Sequence, residues 1–294
     1  MFEVRRLEVL AAAVRERSLS GAARSLGITP SAASQAISAL EAQAGVPLLL
    51  RQARGVVPTP AGERLALQAE AVLSQLATAE RELTGAQPGT LRVAAFATAM
   101  FGLLPLALHA LREDFPATQT SLVELEPDDA RSALRAGEVD VALVNHDASL
   151  APDLDGPWRI HHIVDEPVFV LMPAGHRQAT RQRVDLAKFE NDKWVMQLPA
   201  SPCQQLTVRA CATAGFAPDV IASCGDYRSV ISLVAAGHGV SLLPQLATTR
   251  MDLEGVVLRP ARSPLTRRIN ALVADGRSTA TIEDLIRQLR LVAS

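Results

Sequence analysis

Residues 29–44 combine a helix-start signal with two opposed faces at helical spacing, and no other feature constrains the fold more. Thr29 is a typical N-cap residue, and Pro30 suits the first helical position. The apolar face comprises Ala33, Ala36, Ile37, Leu40 and Ala44, and the opposite face comprises Ser31, Ser34, Gln35 and Ser38. Because the second face is small, polar and uncharged, it can approach base edges and phosphates closely. We therefore predict a DNA-recognition helix here.

The segment before this helix fits the first part of a helix-turn-helix. The pattern predicts one helix over residues 4–17 and a second helix that Ser20 caps. Ala22 and Ala23 permit close packing against a neighbouring helix, and Gly27 supplies the tight turn before Thr29.

A short basic segment follows the recognition helix. Arg51 and Arg54 flank a stretch that ends at Val56 and Val57, which suits a two-stranded wing whose arginines reach the phosphate backbone. The alternative is a generic three-helix domain in which the serines have no role, but the caps, the turn and the wing arginines all agree with DNA binding.

Charge is unevenly distributed along the 294 residues. The formal net charge is −2, yet residues 1–62 contain seven arginines and four glutamates, a charge of +3, which leaves −5 for the remainder. A basic N-terminal segment before an acidic body fits a DNA-binding module attached to a second domain.

A long helix is predicted from Thr59, its cap, to about residue 84. Its apolar residues recur with a 3.5-residue period typical of a coiled-coil seam: Leu65, Ala69, Val72, Leu76, Ala79 and Leu83. Residues 85–89 then break the helix and are predicted to form a hinge. The seam favours a homodimer over packing of the helix onto its own domain, and a dimer would present two recognition helices to a palindrome.

Beyond residue 90 the pattern alternates between strands and helices, which predicts a parallel sheet with right-handed crossovers in two α/β lobes. The predicted strands are 91–96, 121–125, 139–144, 168–172, 194–197, 219–223, 239–243 and 269–273. The predicted helices are 100–114, 128–136, 203–214, 226–236 and 280–292.

The segment from Ala22 to Gly62 resembles the winged helix-turn-helix signature of LysR-type transcriptional regulators. The alanine pair, the serine-rich helix, Arg51 and the Thr59–Gly62 segment fall in family order, whereas Leu49 stands where the family often has Phe. A weaker match is Gly237–Val240 followed by residues 242–244. The resemblance implies an N-terminal all-α winged helix-turn-helix with a linker helix, and a C-terminal bilobed α/β effector domain like periplasmic binding proteins.

The expected domains are a DNA-binding domain over 1–62, a dimerisation linker and hinge over 63–90, and an effector-binding domain over 91–294. Lobe 1 is expected at about 91–164 and 266–294, and lobe 2 at about 165–265. The resemblance implies double-stranded DNA with a pseudo-palindromic operator and a small-molecule effector as partners. It also favours a homodimer or a tetramer formed as a dimer of dimers, with RNA polymerase as a further candidate partner.

Nine residues are candidates for DNA contact: Ser20, Pro30, Ser31, Ala32, Ser34, Gln35, Ser38, Arg51 and Arg54. Gln35 is the best candidate base reader, because its amide can bond adenine bidentately. Arg51 and Arg54 are expected to bind phosphates without regard to sequence.

An effector is expected in the cleft between the lobes, outside the carboxyl ends of the strands. The candidate residues are Thr98, Ala99, Met100, Phe101, Glu126, Asn145, His146, Gln197, Ser201, Pro202 and Asp226. Helix-start N–H groups near Thr98 favour an anionic group such as a carboxylate, whereas Glu126 would favour an amine. Asp226, and also Thr98, are alternatively ordinary helix caps.

Other chemistry has less support in the sequence. Cys203 and Cys211 lie where peroxide-sensing relatives keep a redox pair, but buried small hydrophobes are the more usual identity of cytosolic cysteines. His161 and His162 lack further ligands at zinc spacing, and no catalytic motif or cofactor site is recognisable, so we expect no catalytic residue, metal or cofactor. The alternatives are an effector-independent architectural DNA binder and, less favoured, an enzyme with a DNA-binding module.

No apolar run approaches the ~18–20 residues of a membrane span, and the N-terminus has no cleavable apolar segment. We therefore expect no membrane partner and a cytoplasmic, nucleoid-associated protein.

Overall fold

The structure is a computed structural model that describes residues 1–52, 55–83, 90–151, 154, 156–199, 201–249, 251–275 and 277–293, with the backbone alone for 74, 75 and 77–83. Contacts divide the chain into two units. One comprises Met1–Pro88 with Ser132–Val139 and Asp155–Pro157, and the other comprises Gly89–Arg131, Asp140–Leu154 and Trp158–Ser294.

The N-terminal part of the first unit is a helical domain with a small hairpin. Its elements are α1 (Val4–Glu16), α2 (Leu19–Ser25), α3 (Pro30–Ala44), β1 (Leu49–Gln52), β2 (Gly55–Pro58) and α4 (Pro60–Leu83). The predicted helices and the antiparallel β1–β2 wing are confirmed. Ala33, Ile37 and Leu40 of α3 are buried in one cluster with α1 and α4.

The predicted cap of α2 is wrong. Ser18, in extended conformation, is the N-cap, and its Oγ accepts a hydrogen bond from the Gly21 N–H at 3.1 Å. Ser20 instead lies within the first turn of the helix and is exposed. The caps at Thr29 and Thr59 are confirmed, because each Oγ1 accepts from a backbone N–H three residues on.

Helix α4 packs closely against the wing at its start. A Cβ built on Gly62 would lie 1.9 Å from the Leu48 carbonyl oxygen, so only glycine permits this approach. Ala69 of the predicted seam is buried in the domain's own core, whereas Val72 and Leu76 are 41% and 40% exposed. The Ala79 and Leu83 side chains and the hinge over 85–89 lie outside the described residues.

The remaining elements form a mixed α/β structure. They are β3 (Thr90–Ala95), α5 (Ala97–Gly102), α6 (Leu104–Asp114), β4 (Gln119–Glu124), α7 (Pro127–Arg135), β5 (Val141–Asp147), β6 (Trp158–Pro173), β7 (Lys193–Gln197), α8 (Pro202–Thr213), β8 (Asp219–Cys224), α9 (Tyr227–Ala235), β9 (Ser241–Pro244), β10 (Val256–Ala274) and α10 (Ala280–Ala293). Short 3-10 turns span Leu186–Phe189 and Gln245–Thr248.

The prediction of a parallel sheet is wrong for much of the main sheet. The strand order is β4-β3-β5-β10-β6-β9, in which β3 pairs in parallel with β4 and β5, while β10 pairs antiparallel with β5 and β6. The predicted strands 168–172 and 269–273 are segments of β6 and β10, which have 16 and 19 residues. Charged residues at 165–166 and 267–268 interrupt the apolar runs, so the pattern showed only part of each strand.

Two separate hydrophobic clusters agree with the predicted division into two lobes. One cluster, with Leu111, Leu143 and Leu289, lies under α6 and α10, and a second, with Phe189 and Trp194, lies under α8. The predicted helix over 100–114 is two helices, because the chain bends at Leu103 and restarts with Pro105 in the first turn of α6. No described helix is long and apolar enough to cross a membrane.

Candidate DNA interface and effector cleft

The outer face of α3 is open to solvent and free of acidic side chains. Pro30, Ser31, Ala32, Gln35 and Ser38 are exposed, and Ser34 is half-buried. The acidic residue of this helix, Glu41, points away from the face, since its Oε1 accepts the backbone N–H groups of Leu48 and Leu49 at 2.8 and 3.1 Å. A phosphate or base edge therefore meets no negative charge from α3.

The wing is linked directly to α3. Arg51 Nη2 donates to Ser34 Oγ at 2.8 Å, so a predicted phosphate-binding side chain lies beside the recognition helix. The other wing arginine, Arg54, lies outside the described residues. The Val56 N–H donates to the Arg17 carbonyl at 3.0 Å and fixes the wing to the end of α1.

A buried ion pair lies at the centre of the candidate effector cleft. Arg267 of β10 donates through Nη2 to Glu166 Oε2 of β6 at 2.9 Å and to Thr98 Oγ1 of α5 at 2.8 Å. These residues are only 2%, 4% and 1% exposed. The Arg267 guanidinium carbon also lies 5.0 Å from the centroid of the Phe96 ring.

Neighbouring groups hold Arg267 in its charged form. Burial alone would lower the pKa of Arg267, but its neighbours, among them Cys203 and the Glu166 carboxylate that accepts its hydrogen bond, raise it above its ordinary value. The thiol of Cys203 accepts from the Tyr227 hydroxyl at 2.9 Å and from Arg267 Nη1 at 3.4 Å. Burial raises the pKa of Tyr227 well above its usual range, so its hydroxyl stays protonated as a donor.

Three polar atoms at this cleft are buried without a hydrogen-bond partner among the described residues. They are Arg267 Nε, Asn145 Oδ1 and Gln197 Nε2. Their residues line a small cavity of about 30 Å³. Leaving a buried polar group unpaired costs about 1–3 kcal/mol, so these atoms mark a place where a ligand group would be stabilising.

The structure brings some of the predicted effector residues together at this cavity. The ones that line it are Thr98, Glu126, Asn145, Gln197, Ser201 and Pro202. Glu126 is exposed as a whole residue. Desolvation raises the pKa of its carboxyl, and this effect exceeds the lowering of that pKa by the nearby positive charge of Arg267.

The other predicted effector residues lie elsewhere. Ala99 and Met100 pack in or against the lobe 1 core, and Phe101 is half-buried outside the cavity lining. Both ring nitrogens of His146 are buried without a described partner, and its burial lowers its pKa. Asp226 is the N-cap of α9, with Oδ1 accepting from the Ser229 N–H at 2.8 Å, as the alternative interpretation held. Thr98 is not a cap, because Phe96 occupies that position.

Sequence reasoning missed Arg267, Glu166 and Phe96. The available signal was a charge next to an apolar run, at Glu166 just before residues 168–172 and at Arg267 just before residues 269–273. A charge within a buried strand requires a partner, and here each residue is the partner of the other.

The three cysteines are free thiols. Cys203 packs against the cluster of Tyr227 and Val230, whereas Cys211 is buried in the cluster of Trp194 and Phe189. Burial raises the pKa of Cys211 to about 12, and it also raises the pKa of Cys224. His162 Nε2 lies 3.0 Å from Asp165 Oδ1, and the described part of the chain holds no group of three metal-ligating side chains.

A winged helix-turn-helix joined to a two-lobed α/β domain with a polar cleft defines a transcriptional regulator that binds DNA and an effector. Two protein-family models match this chain. The family described as "Bacterial regulatory helix-turn-helix protein, lysR family" matches residues 4–63, and the family described as "LysR substrate binding domain" matches residues 84–294. The chain belongs to the LysR family of transcriptional regulators.

Individual relatives agree with this assignment. The probable HTH-type transcriptional regulator LrrA of Synechococcus elongatus is 32% identical over 273 residues, which cover 92% of this chain and 90% of the relative. Full-length BenM is 25% identical with a TM-score of 0.60, covering 99% of this chain and 96% of BenM. A peroxide-bound cysteine mutant of Corynebacterium glutamicum OxyR is 25% identical with a TM-score of 0.60, and the match covers 99% of this chain and 94% of OxyR.

Proposed function

We propose that the effector of this LysR-family regulator binds in the 30 Å³ cavity, and that α3 and the wing read its operator. The observation that supports the effector site is a set of three buried atoms, on three different elements, that have no hydrogen-bond partner among the described residues: Arg267 Nε, Asn145 Oδ1 and Gln197 Nε2. Because these residues come from β10, β5 and β7, a ligand bonded to all three would bridge the two lobes.

The cavity favours a compact polar effector. Arg267 Nε and Gln197 Nε2 would donate to an oxygen, and Asn145 Oδ1 would accept from a hydroxyl or amine. A carboxylate fits the two donors, and an amine fits Glu126 and Asn145. Known small-molecule pockets are about 300–1,000 Å³, so a larger effector would require the lobes to move apart.

Peroxide is a second candidate effector, because Cys203 also lines the cavity with its sulfur beside Arg267. A relative that is 28% identical over 275 residues is the hydrogen peroxide-inducible genes activator of Pectobacterium carotovorum. Attack of the Cys203 thiolate on peroxide would form an S–O bond and break the O–O bond, releasing water after protonation. A disulfide with Cys211 is disfavoured by that residue's burial in another cluster.

The DNA interface consists of Pro30, Ser31, Ala32, Ser34, Gln35 and Ser38, supported by Arg51, with Ser20 and Arg54 as further candidates. The proposed assembly is a homodimer or a dimer of dimers on a pseudo-palindromic operator, and RNA polymerase is a proposed partner. We further propose that the protein is not an enzyme, uses no cofactor besides its effector, and works in the cytoplasm at the nucleoid.

The effector site is tested by thermal-shift screening of small carboxylates and amino acids against the full chain, and the peroxide alternative is tested by mass spectrometry of Cys203 after peroxide treatment. A ligand at about 100 times its Kd should stabilise the protein by about 2.7 kcal/mol. Gln197→Leu should abolish the shift, whereas Gln245→Leu, an exposed control in the same unit, should retain it. A hit that stabilises wild type and Gln197→Leu equally would place the effector elsewhere.

A further inference from the structure

A second and larger cavity, of about 690 Å³, lies on the opposite part of α8 from the effector cavity. None of its lining residues lines the effector cavity. Its walls come from the end of β5, Asp165 of β6, the turn at 185–187, the 261–266 segment of β10, and α8 from Leu206 onward. Its volume lies within the range of known small-molecule pockets.

The inner wall of this cavity is apolar. Leu186, Leu206 and Ala261 are buried, and Ala210 and Leu265 are half-buried against the same cluster. An apolar group placed here would exclude water from exposed parts of these side chains, which is the main source of affinity for an organic ligand.

The carboxylates of the wall already have partners. Asp147 Oδ2 accepts from Arg209 Nη2 at 2.9 Å, and Asp165 Oδ2 accepts from Arg268 Nη2 at 2.7 Å. Asp185 Oδ1 accepts from the Ala187 N–H at 3.1 Å. These acidic side chains are therefore engaged within the protein.

Arg262 differs from the other charged residues of the wall. Its side chain is exposed, and within the described ranges it has no acidic partner at salt-bridge distance. Its backbone N–H donates to the Val184 carbonyl at 2.7 Å, which fixes the position of the residue at the rim. The cavity thus combines an apolar wall with the guanidinium of Arg262, which has no ion-pair partner among the described residues. The Asp185 carboxylate, which accepts a backbone N–H and has no cationic partner within the same residues, adds one negative charge elsewhere on the wall.

We propose that this cavity binds a small amphipathic anion, with an apolar body against Leu206 and Ala210 and a carboxylate or sulfonate on Arg262. The helix that forms its wall also reaches the effector cavity, where Pro202 and Cys203 contribute lining. An occupant would therefore contact the same rigid element as the effector.

The probe for this site is 1-anilinonaphthalene-8-sulfonate, which has an apolar aromatic body and one sulfonate, titrated by fluorescence into the full chain. Thr213→Trp should fill the cavity from α8 and weaken the saturable binding by about tenfold or more. Ala212→Trp changes the adjacent exposed residue, which does not line the cavity, and should bind as wild type does.

A charge variant tests the anion contact separately. Arg262→Gln should weaken probe binding about tenfold, the expected effect of losing one charge-assisted hydrogen bond, whereas Arg183→Gln outside the lining should not. If Thr213→Trp and Ala212→Trp bind the probe with equal affinity, the proposed site is wrong. Loss in Thr213→Trp with no change in Arg262→Gln would overturn the anionic class of ligand. Both readouts are independent of DNA binding.

Discussion

At the scale of single residues, the pair Arg267–Glu166 differs sharply from its neighbour Arg268–Asp165. The first pair is almost completely buried, whereas both side chains of the second are 38% exposed. Breaking a buried pair leaves an uncompensated charge and costs about 3–5 kcal/mol, while an exposed pair contributes about 0–1 kcal/mol.

We therefore expect Glu166→Gln to lower the free energy of unfolding by about 3–5 kcal/mol, against less than about 1 kcal/mol for Asp165→Asn. Urea denaturation of both variants measures the difference. Similar values for the two would show that Arg267 has another source of compensation.

The cysteines give a second test at this scale. Because burial raises the pKa of Cys211 to about 12, only about one molecule in ten thousand carries its thiolate at pH 8. The thiol form predominates below that pKa, so reactivity should appear only as the pH rises towards 12. Mass spectrometry after iodoacetamide treatment at pH 8 should find Cys203 or Cys224 modified before Cys211. Early modification of Cys211 in folded protein would contradict its burial.

At the scale of elements, the start of α2 separates two serines that the sequence does not distinguish. Ser18 caps the helix and Ser20 is exposed within it. Ser18→Ala should cost about 0.5–2 kcal/mol of stability, and Ser20→Ala should cost much less. Thermal unfolding of the two variants measures this, and the reverse order would assign the cap to Ser20.

The recognition helix and the wing should affect DNA binding in different ways. Gln35→Ala should lose about 1–3 kcal/mol of preference for operator over random DNA, because base contacts carry sequence information. Arg51→Ala should weaken binding to operator and to random DNA alike. It should also reduce the slope of log affinity against log salt concentration by about 1. Fluorescence anisotropy at several salt concentrations separates the two. Unchanged operator preference in Gln35→Ala would exclude it as a base reader.

Sequence periodicity predicted the helices more accurately than the long strands. The α3 pattern could be predicted because one face is uniformly apolar and both ends carry cap signals. The sequence pattern predicted only part of β6 and β10, because these strands carry His162 and Asp165 at exposed positions, Arg268 at a half-buried one and Arg267 in the core. The partnership of Arg267 with Glu166 joins residues 101 positions apart, and no local pattern indicates such a contact.

At the scale of the whole molecule, a DNA-reading domain and a two-lobed effector domain belong to one LysR-family chain. Within the effector domain β5, β10 and β6 run side by side in that order. The proposed effector cavity lies where Asn145 and Arg267 each have a buried polar atom without a partner in the described part of the chain. Ligand binding there would favour one arrangement of the lobes, which is the physical basis of effector control.

Sequence-specific DNA binding by this chain is tested most directly by selection of genomic fragments with the purified full chain at ~50–200 mM salt, followed by footprinting. We predict enrichment of fragments with a pseudo-palindromic site, protected at half-sites about one helical turn or a multiple apart. Folded protein that selects no fragment over random DNA, with or without the ligands found by thermal shift, would contradict it.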